Sequence, residues 1–249
     1  MPDTTPYWWV EAGKPKSPPE ITLPGETDVV IVGAGLTGLS AARTLAKSGK
    51  AVLALDAFAP GVRASSCNGG MIGGGNQLAI DEIEAEFGKG MVEGLLRETH
   101  LDANAFIKAL IADEAIECDL AITGRFRGLW SKGEYDSAGR ELDRLKRIVP
   151  VDVEMVPRES QHKEVATDIY AGGTLLPLHG GLNPAKYVAG LMKAAQVHGA
   201  VVQGGTPVTN VVRCGTGFTV ETSRGSVRTG DVLVATNGYT PTSLGYAKR

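Results

Sequence analysis

The sequence predicts an α/β fold built on a parallel strand–helix–strand unit of the doubly wound kind, and three observations predict it. The first is an apolar strand run, Asp28–Val32, followed by Gly33, Gly35 and Gly38 in G-x-G-x-x-G spacing and then by a helix-forming run, Leu36–Ser48. The second is another apolar run, Ala51-Val-Leu-Ala-Leu55, closed by an acid, Asp56. The third is a fall to period two later in the chain, where Val208–Arg213, Phe218–Thr222, Ser226–Thr229 and Asp231–Ala235 read as a meander followed by a return strand.

Each part of the first unit has a task in holding a dinucleotide. Gly33 turns the chain sharply off the strand. Gly35 lacks a side chain, so a pyrophosphate can approach the backbone, and Gly38 lets helix and strand pack closely. The anion then lies at a helix N-terminus, where free N–H groups and the helix dipole favour negative charge. Gly33, Ala34, Gly35, Leu36, Thr37 and Gly38 are therefore candidate cofactor-binding residues, with Asp56 and Ala57 beyond the second strand. A carboxylate at Asp56 accepts hydrogen bonds from ribose hydroxyls and repels a 2′-phosphate.

The other elements follow in order. Residues 1–27 carry Pro2, Pro6, Pro15, Pro18, Pro19 and Pro24 and read as an extended arm with Tyr7, Trp8 and Trp9 as its apolar anchor. That anchor either pins the arm to the domain surface or sets an aromatic near a substrate channel. Gly49 suits the C′ position of the first long helix. The segment Ala57–Gly75 is rich in small residues and irregular, a length of loop that is usually functional. Helices are expected at Leu78–Phe87, Met91–Leu101 and Ala103–Ala115, with Leu95, Leu96, Phe106, Ile107, Leu110 and Ile111 as a core stripe, and a short helix around Leu142, Leu145 and Ile148 ends at Pro150. Leu120–Trp130 looks extended. Ile169–Leu178 reads as strand interrupted by a Gly172-Gly173 turn, and Asn183-Pro184 opens a helix to about His198, closed by Gly199. Gly215–Gly217 and Arg224-Gly225 supply the turns of the meander.

Composition narrows the classes further. The 249 residues are 43% hydrophobic and 21% charged with a net charge of −3, which suits a globular domain or two and argues against nucleic acid or an anionic membrane as partner. Cys67, Cys118 and Cys214 are scattered and odd in number, so a disulfide framework and a zinc site are not expected. The four histidines show no ligand spacing, and no metal is expected. The first residues lack the pattern of a signal peptide and no run approaches a membrane span, so the expected location is cytoplasmic.

Three further stretches complete a resemblance: Gly61-Val-Arg-Ala-Ser-Ser-Cys-Asn-Gly-Gly70, His179-Gly-Gly-Leu-Asn-Pro184 and Asp231-Val-Leu-Val-Ala-Thr-Asn-Gly-Tyr-Thr240. With the glycine turn and Tyr7-Trp8, the chain resembles FAD-dependent oxidoreductases of the D-amino-acid oxidase type. Within them it is most similar to the γ-glutamylputrescine oxidase-like branch of amine oxidases. The resemblance implies a Rossmann-type, glutathione-reductase-like FAD domain interleaved with part of a mixed-sheet substrate domain. The expected division is an arm at 1–27, an FAD domain at 28–80 and 180–249 containing the meander 207–229, and a partial substrate domain at 81–179. It implies FAD contacts from Ser65, Ser66, Cys67, Asn68, Gly69, Gly70 and Met71 on the flavin side, from Val208 toward the adenine, and from Ala235, Thr236, Asn237 and Gly238.

The implied activity is oxidation of the C–N bond of a small-molecule amine or amino acid, with oxygen as acceptor, giving an imine or aldehyde and hydrogen peroxide. No catalytic residue is identified; His179, in a Gly-rich loop, is the weak candidate for a base. Arg125 and Arg127 beside Phe126 either clamp a substrate carboxylate or form a solvated basic pair. The sequence departs from the family at Cys67, where a basic residue is usual. Cys67 is expected as a small buried thiol, with a site of flavin attachment as the alternative. It also ends at Arg249, where the family continues, so a fragment, a homo-oligomer or a complementing chain is expected. A catalytically inactive flavin-binding fragment and an NAD-dependent dehydrogenase are the alternatives.

Overall fold

The computed structural model describes residues 4–75 and 78–240. Along the chain, α1 (Tyr7–Ala12) precedes β1 (Glu26–Val32), α2 (Leu36–Lys47) and β2 (Val52–Leu55). Then come β3 (Met71–Ile72), α3 (Ile80–Phe87), α4 (Lys89–Arg97) and α5 (Ala103–Asp113), the last two joined by a π turn at Glu98–Asp102. β4 (Arg125–Leu129), α6 (Lys132–Ile148), β5 (Glu154–Pro157), β6 (Gly172–Leu176) and β7 (Gly180–Gly181) follow. The remainder is α7 (Pro184–Val197), β8 (Val201–Gln203), β9 (Val208–Cys214), β10 (Gly217–Thr222) and β11 (Gly225–Val234).

The described chain divides into two units. The first comprises the residues up to Gly69, Ile116–Cys118 and those from Asn183 onward; the second comprises Gly70–Ala115 and Asp119–Leu182. The division therefore falls at Gly69 and Asn183 rather than at 80 and 180, and the arm belongs to the first unit. Pairing explains the shift. Met71–Ile72 and Gly180–Gly181 are strand partners, and the Leu182 N–H donates to the Gly70 carbonyl, so both stretches leave together.

The first unit is a six-stranded sheet in the order β8-β2-β1-β11-β10-β9. β8, β2, β1 and β11 run parallel, and β10 and β9 complete it antiparallel. Val30, Val32, Leu53, Leu55, Val208, Val220 and Val227 form a buried cluster where the meander meets the parallel strands. α2 keeps Leu39, Ala42 and Ala46 buried, and Gly49 closes its C-terminal end at φ +87°. α7 begins as expected: Asn183 Oδ1 accepts from the N–H groups of Ala185 and Lys186, and Pro184 occupies the first turn.

Three expectations in this unit are corrected. Ser226–Thr229 and Asp231–Ala235 are one strand, β11, which pairs antiparallel with β10 through its first half and parallel with β1 through its second. Thr229 Oγ1 donates to the Asp28 carbonyl across the point where the two pairings meet. β8, Val201–Gln203, is too short to show a period in the sequence. The arm is not wholly extended, since Tyr7–Ala12 coils into α1.

The second unit holds a three-stranded antiparallel sheet, β4-β6-β5, the β3–β7 pair and helices α3 to α6. Gly172 and Gly173 are not a turn. They lie in β6, the central strand, because a Cβ at Gly173 would strike the Phe126 ring and one at Gly172 the Tyr135 ring. Here glycine makes room for aromatic side chains rather than reversing the chain. α6 begins ten residues before Leu142, at a Ser131 cap whose Oγ accepts from the Glu134 N–H. Its polar sequence buries only Leu142, so the apolar signal marked its end alone. Leu96, Leu110 and Ile111 are buried as expected, but Phe106 is exposed because Asn104 occupies the buried face of α5 and donates to the Leu178 carbonyl. β5 carried no period and was not anticipated.

Candidate functional site

The glycine turn sits where three strand ends converge. The Gly33 N–H donates to the Leu55 carbonyl and the Ala235 N–H to the Val32 carbonyl, each at 2.7 Å. Gly33 adopts φ +101°, and a Cβ there would stand 2.7 Å from the Ala235 carbonyl oxygen, so only glycine fits. A Cβ at Gly38 would overlap the Gly33 carbonyl oxygen, which gives this glycine its role in bringing α2 onto the turn. At Gly35 the near neighbour is Ser65, whose Oγ accepts from the Leu36 N–H at 3.1 Å. A hydroxyl thus already lies at the helix N-terminus, and the first turn of α2 carries no acid.

Asp56 is held at the end of β2 by its backbone, with its N–H donating to the Gln203 carbonyl and its carbonyl accepting from Thr206. Its Oδ2 accepts from the Ala34 N–H and its Oδ1 from the Phe58 N–H, both at 2.9 Å. Burial pushes the carboxyl up from its ordinary value; those two N–H groups and the Arg63 charge oppose the rise. One pair of bonds therefore fixes the carboxylate plane and couples it to the glycine turn.

These groups line one cavity of about 460 Å³ within the first unit. Of the expected cofactor residues, Gly33, Gly35, Leu36, Thr37, Asp56, Ala57, Ser65, Val208, Ala235, Thr236 and Asn237 line it. Ala34 and Gly38 are buried behind it. Ser66 is fully buried and Cys67, Asn68 and Gly69 are exposed, all outside the lining, as is Gly238. Gly70 and Met71 fall in the second unit. Cys67 is not the buried thiol expected: the turn at Ala64–Asn68 sends Ser66 inward and the thiol outward.

Sequence reasoning passed over Arg63. It lines the cavity, its guanidinium lies 4.1 Å from the centroid of the Phe58 ring and 6.0 Å from that of Tyr239, and its charge reaches Asp56. The signal was present, since Arg63 is the only basic residue between Lys50 and Lys89. The cation that Cys67 does not provide thus stands four positions earlier in the same loop.

In the second unit, His179 Nε2 accepts from the Gly74 N–H at 3.1 Å, and a Cβ at Gly73 would overlap its ring. This is a loop histidine bonded to backbone, with its Nε2 lone pair engaged, which weighs against the expected base. Arg125 and Arg127 stay exposed on one face of β4, the geometry of a solvated pair. Burial lowers the His179 pKa first, and the charges of Arg125, His100 and Lys108 add to that. A lowered histidine contributes stability above its unfolded value of about 6.5 that is lost as pH falls through the folded value. Acid titration of the folded protein, followed by circular dichroism, is expected to show stability declining below about pH 6.5, with a shallower decline in His179→Gln. An identical profile in the variant would remove His179 from this account.

Among the described residues no group of His, Cys, Asp and Glu is arranged to hold a metal, and no helix is long and apolar enough to cross a membrane. Parallel strands, a glycine turn at a helix N-terminus and a carboxylate at the next strand end define a dinucleotide-binding protein of the doubly wound class. Residues 28–248 match the DAO family, described as FAD dependent oxidoreductase, and the chain belongs to that family. Its cofactor is FAD.

A probable oxidoreductase OrdL of Rhizobium meliloti is 29% identical over 235 residues, covering 94% of this chain and 55% of the relative. The gamma-glutamylputrescine oxidoreductase of Escherichia coli is 30% identical over 212 residues, covering 85% and 49%. Among solved structures, glycine oxidase from Geobacillus kaustophilus superposes with a TM-score of 0.73 at 22% identity, over 85% of this chain and 55% of that one. The chain spans about half the length of the curated relatives it matches.

Proposed function

We propose that the cavity of the first unit holds the ADP portion of FAD, and that the protein serves the oxidation of the C–N bond of a small-molecule amine or amino acid. The observation that carries the reading is the convergence of Gly33, Gly35, the α2 N-terminus, Arg63 and Asp56 on one cavity. The residues fit the group. Glycines leave the backbone open to a pyrophosphate, the helix terminus and Arg63 supply positive charge, and Asp56 accepts from ribose hydroxyls. Val208, at the start of β9, lines the same cavity and suits an adenine contact.

When bound, FAD supplies acceptance of a hydride equivalent from the substrate carbon. The chain's part is to hold the cofactor and fix its orientation. Oxygen is the acceptor proposed, with imine or aldehyde and hydrogen peroxide as products. Cytoplasm is the proposed location, which three cysteines outside any disulfide suit. The second reading is a catalytically inactive flavin-binding fragment or subunit that works with a complementing chain or a second copy.

The test is the visible spectrum of the protein after gel filtration with excess FAD, followed by an amine and amino-acid panel with peroxide detection. Flavin near one per chain and substrate-dependent bleaching support the oxidase. Retained flavin that no substrate bleaches favours the second reading, and a colourless folded protein removes both. Arg63→Ala is expected to raise the FAD dissociation constant about tenfold and to weaken its salt dependence, because it removes a charge-assisted partner from the cavity. Equal affinity at every salt concentration would show that Arg63 only covers Phe58.

A further inference from the structure

The N-terminal arm reaches the cofactor loop by two indole hydrogen bonds. Trp9 Nε1 donates to Ser66 Oγ at 3.1 Å, and Trp8 Nε1 donates to the Asn68 carbonyl at 2.9 Å. Ser66 is fully buried, so its hydroxyl has no water in exchange for the indole. Asn68 in turn donates to the carbonyls of Ala64 and Ser65, and Ser65 Oγ accepts from the Leu36 N–H at the start of α2. A continuous set of bonds thus runs from α1, through the loop, to the helix terminus of the cavity. α1 has its own fastening, an ion pair between Glu11 and Lys186 of α7, and Lys14 lies 5.7 Å from the Trp9 ring centroid.

We propose that α1 is a positioning element for the cofactor, and that Trp8 and Trp9 set how closely the Ser65–Asn68 loop stands over the glycine turn. A six-residue helix with no buried residue contributes little core, so it is not retained for burial. Its two bonded indoles both end on the loop whose Ser65 lines the cavity. The loop itself is turn after turn without a strand or helix to hold it, and outside anchors are what such a segment requires. The inference rests on FAD being the ligand of that cavity.

The experiment measures FAD dissociation constants by flavin fluorescence on the whole chain, with circular dichroism to establish folding. Variants are W9F, W8F, the W8F/W9F pair, S66A, W9F/S66A and V10A. Phenylalanine keeps an aromatic ring and removes the N–H. The double replacement is expected to weaken FAD on the order of tenfold while the protein remains folded. W9F and S66A are expected to be non-additive, since they break one bond from its two ends. V10A trims a 74% exposed side chain of the same helix and keeps both indoles, so it is expected to bind FAD as the wild type does. Unaltered FAD affinity in folded W9F and W8F, or additive effects of W9F and S66A, overturns the proposal. If the double variant does not fold, W9F, S66A and their combination decide alone. A wild-type protein that binds no FAD removes the cofactor reading first and this inference with it.

Discussion

Gly38→Ala is expected to cost about 3 kcal/mol of stability, at the upper end of what overpacking produces. The added methyl would overlap the Gly33 carbonyl oxygen, and the next neighbour is Ile31 Cγ2 at 3.3 Å. A flexible side chain could yield, but a carbonyl at a turn can yield only if the turn moves. That turn is bonded to β2 through the Gly33 N–H and abuts β11 through Ala235. Helix α2 must therefore lift from the sheet, separating Leu39 and Ala42 from their packing. Gly49→Ala provides the contrast. It has open space around it and only the strain of φ +87°, for which roughly 1 kcal/mol is expected. Urea denaturation of both variants reads the difference. A Gly38→Ala midpoint no lower than that of Gly49→Ala would mean that the helix shifts without cost.

The second large effect is expected at Asp56. Asp56→Ala leaves the Ala34 N–H without its acceptor in a residue that is completely buried, a loss of about 1–3 kcal/mol. It also removes the ribose acceptor, so FAD affinity is expected to fall by about a hundredfold, two partners being lost. Asp56→Asn separates the contributions, because its amide oxygen can still accept from Ala34 while its NH₂ faces the Phe58 N–H donor. The titration has a definite sign. The folded carboxyl lies above its unfolded value of 3.8, so the native state binds the extra proton and the ionised group costs stability at neutral pH. That cost is relieved as pH falls through the folded value. Ribose hydroxyls favour the ionised form, so FAD affinity is expected to weaken over the same fall in pH and to become pH-independent there in Asp56→Asn. A wild-type binding curve flat across the acid range would show that Asp56 does not meet the ribose.

The glycine turn, both strands flanking it and the α7 cap were legible because local chemistry dictates them. Positive φ, close approach and an N-cap each demand particular residue types within a few positions. β1, β2, β9 and β10 were legible from apolar runs bounded by turns. What could not be read were properties set by distant residues. Gly172 and Gly173 resemble a turn until Phe126 and Tyr135 lie over them. α6 shows its apolar face only at its last turns because one face of it meets solvent. Arg63 looks like an isolated surface charge until the rings of Phe58 and Tyr239, 181 positions apart (239 − 58), come near it. Cys67 and Ser66 are adjacent, and only the turn decides which goes inward.

The central pairing of the sheet joins Val29 to Asp231, 202 positions later (231 − 29). At a synthesis rate of about 5–20 residues per second, β1 waits roughly 10–40 s on the ribosome before its partner emerges. Throughout that interval the strand Val29–Val32 presents an apolar, unpaired edge beside β2. Slower translation therefore lengthens the time for which that edge stands open, and faster translation shortens it.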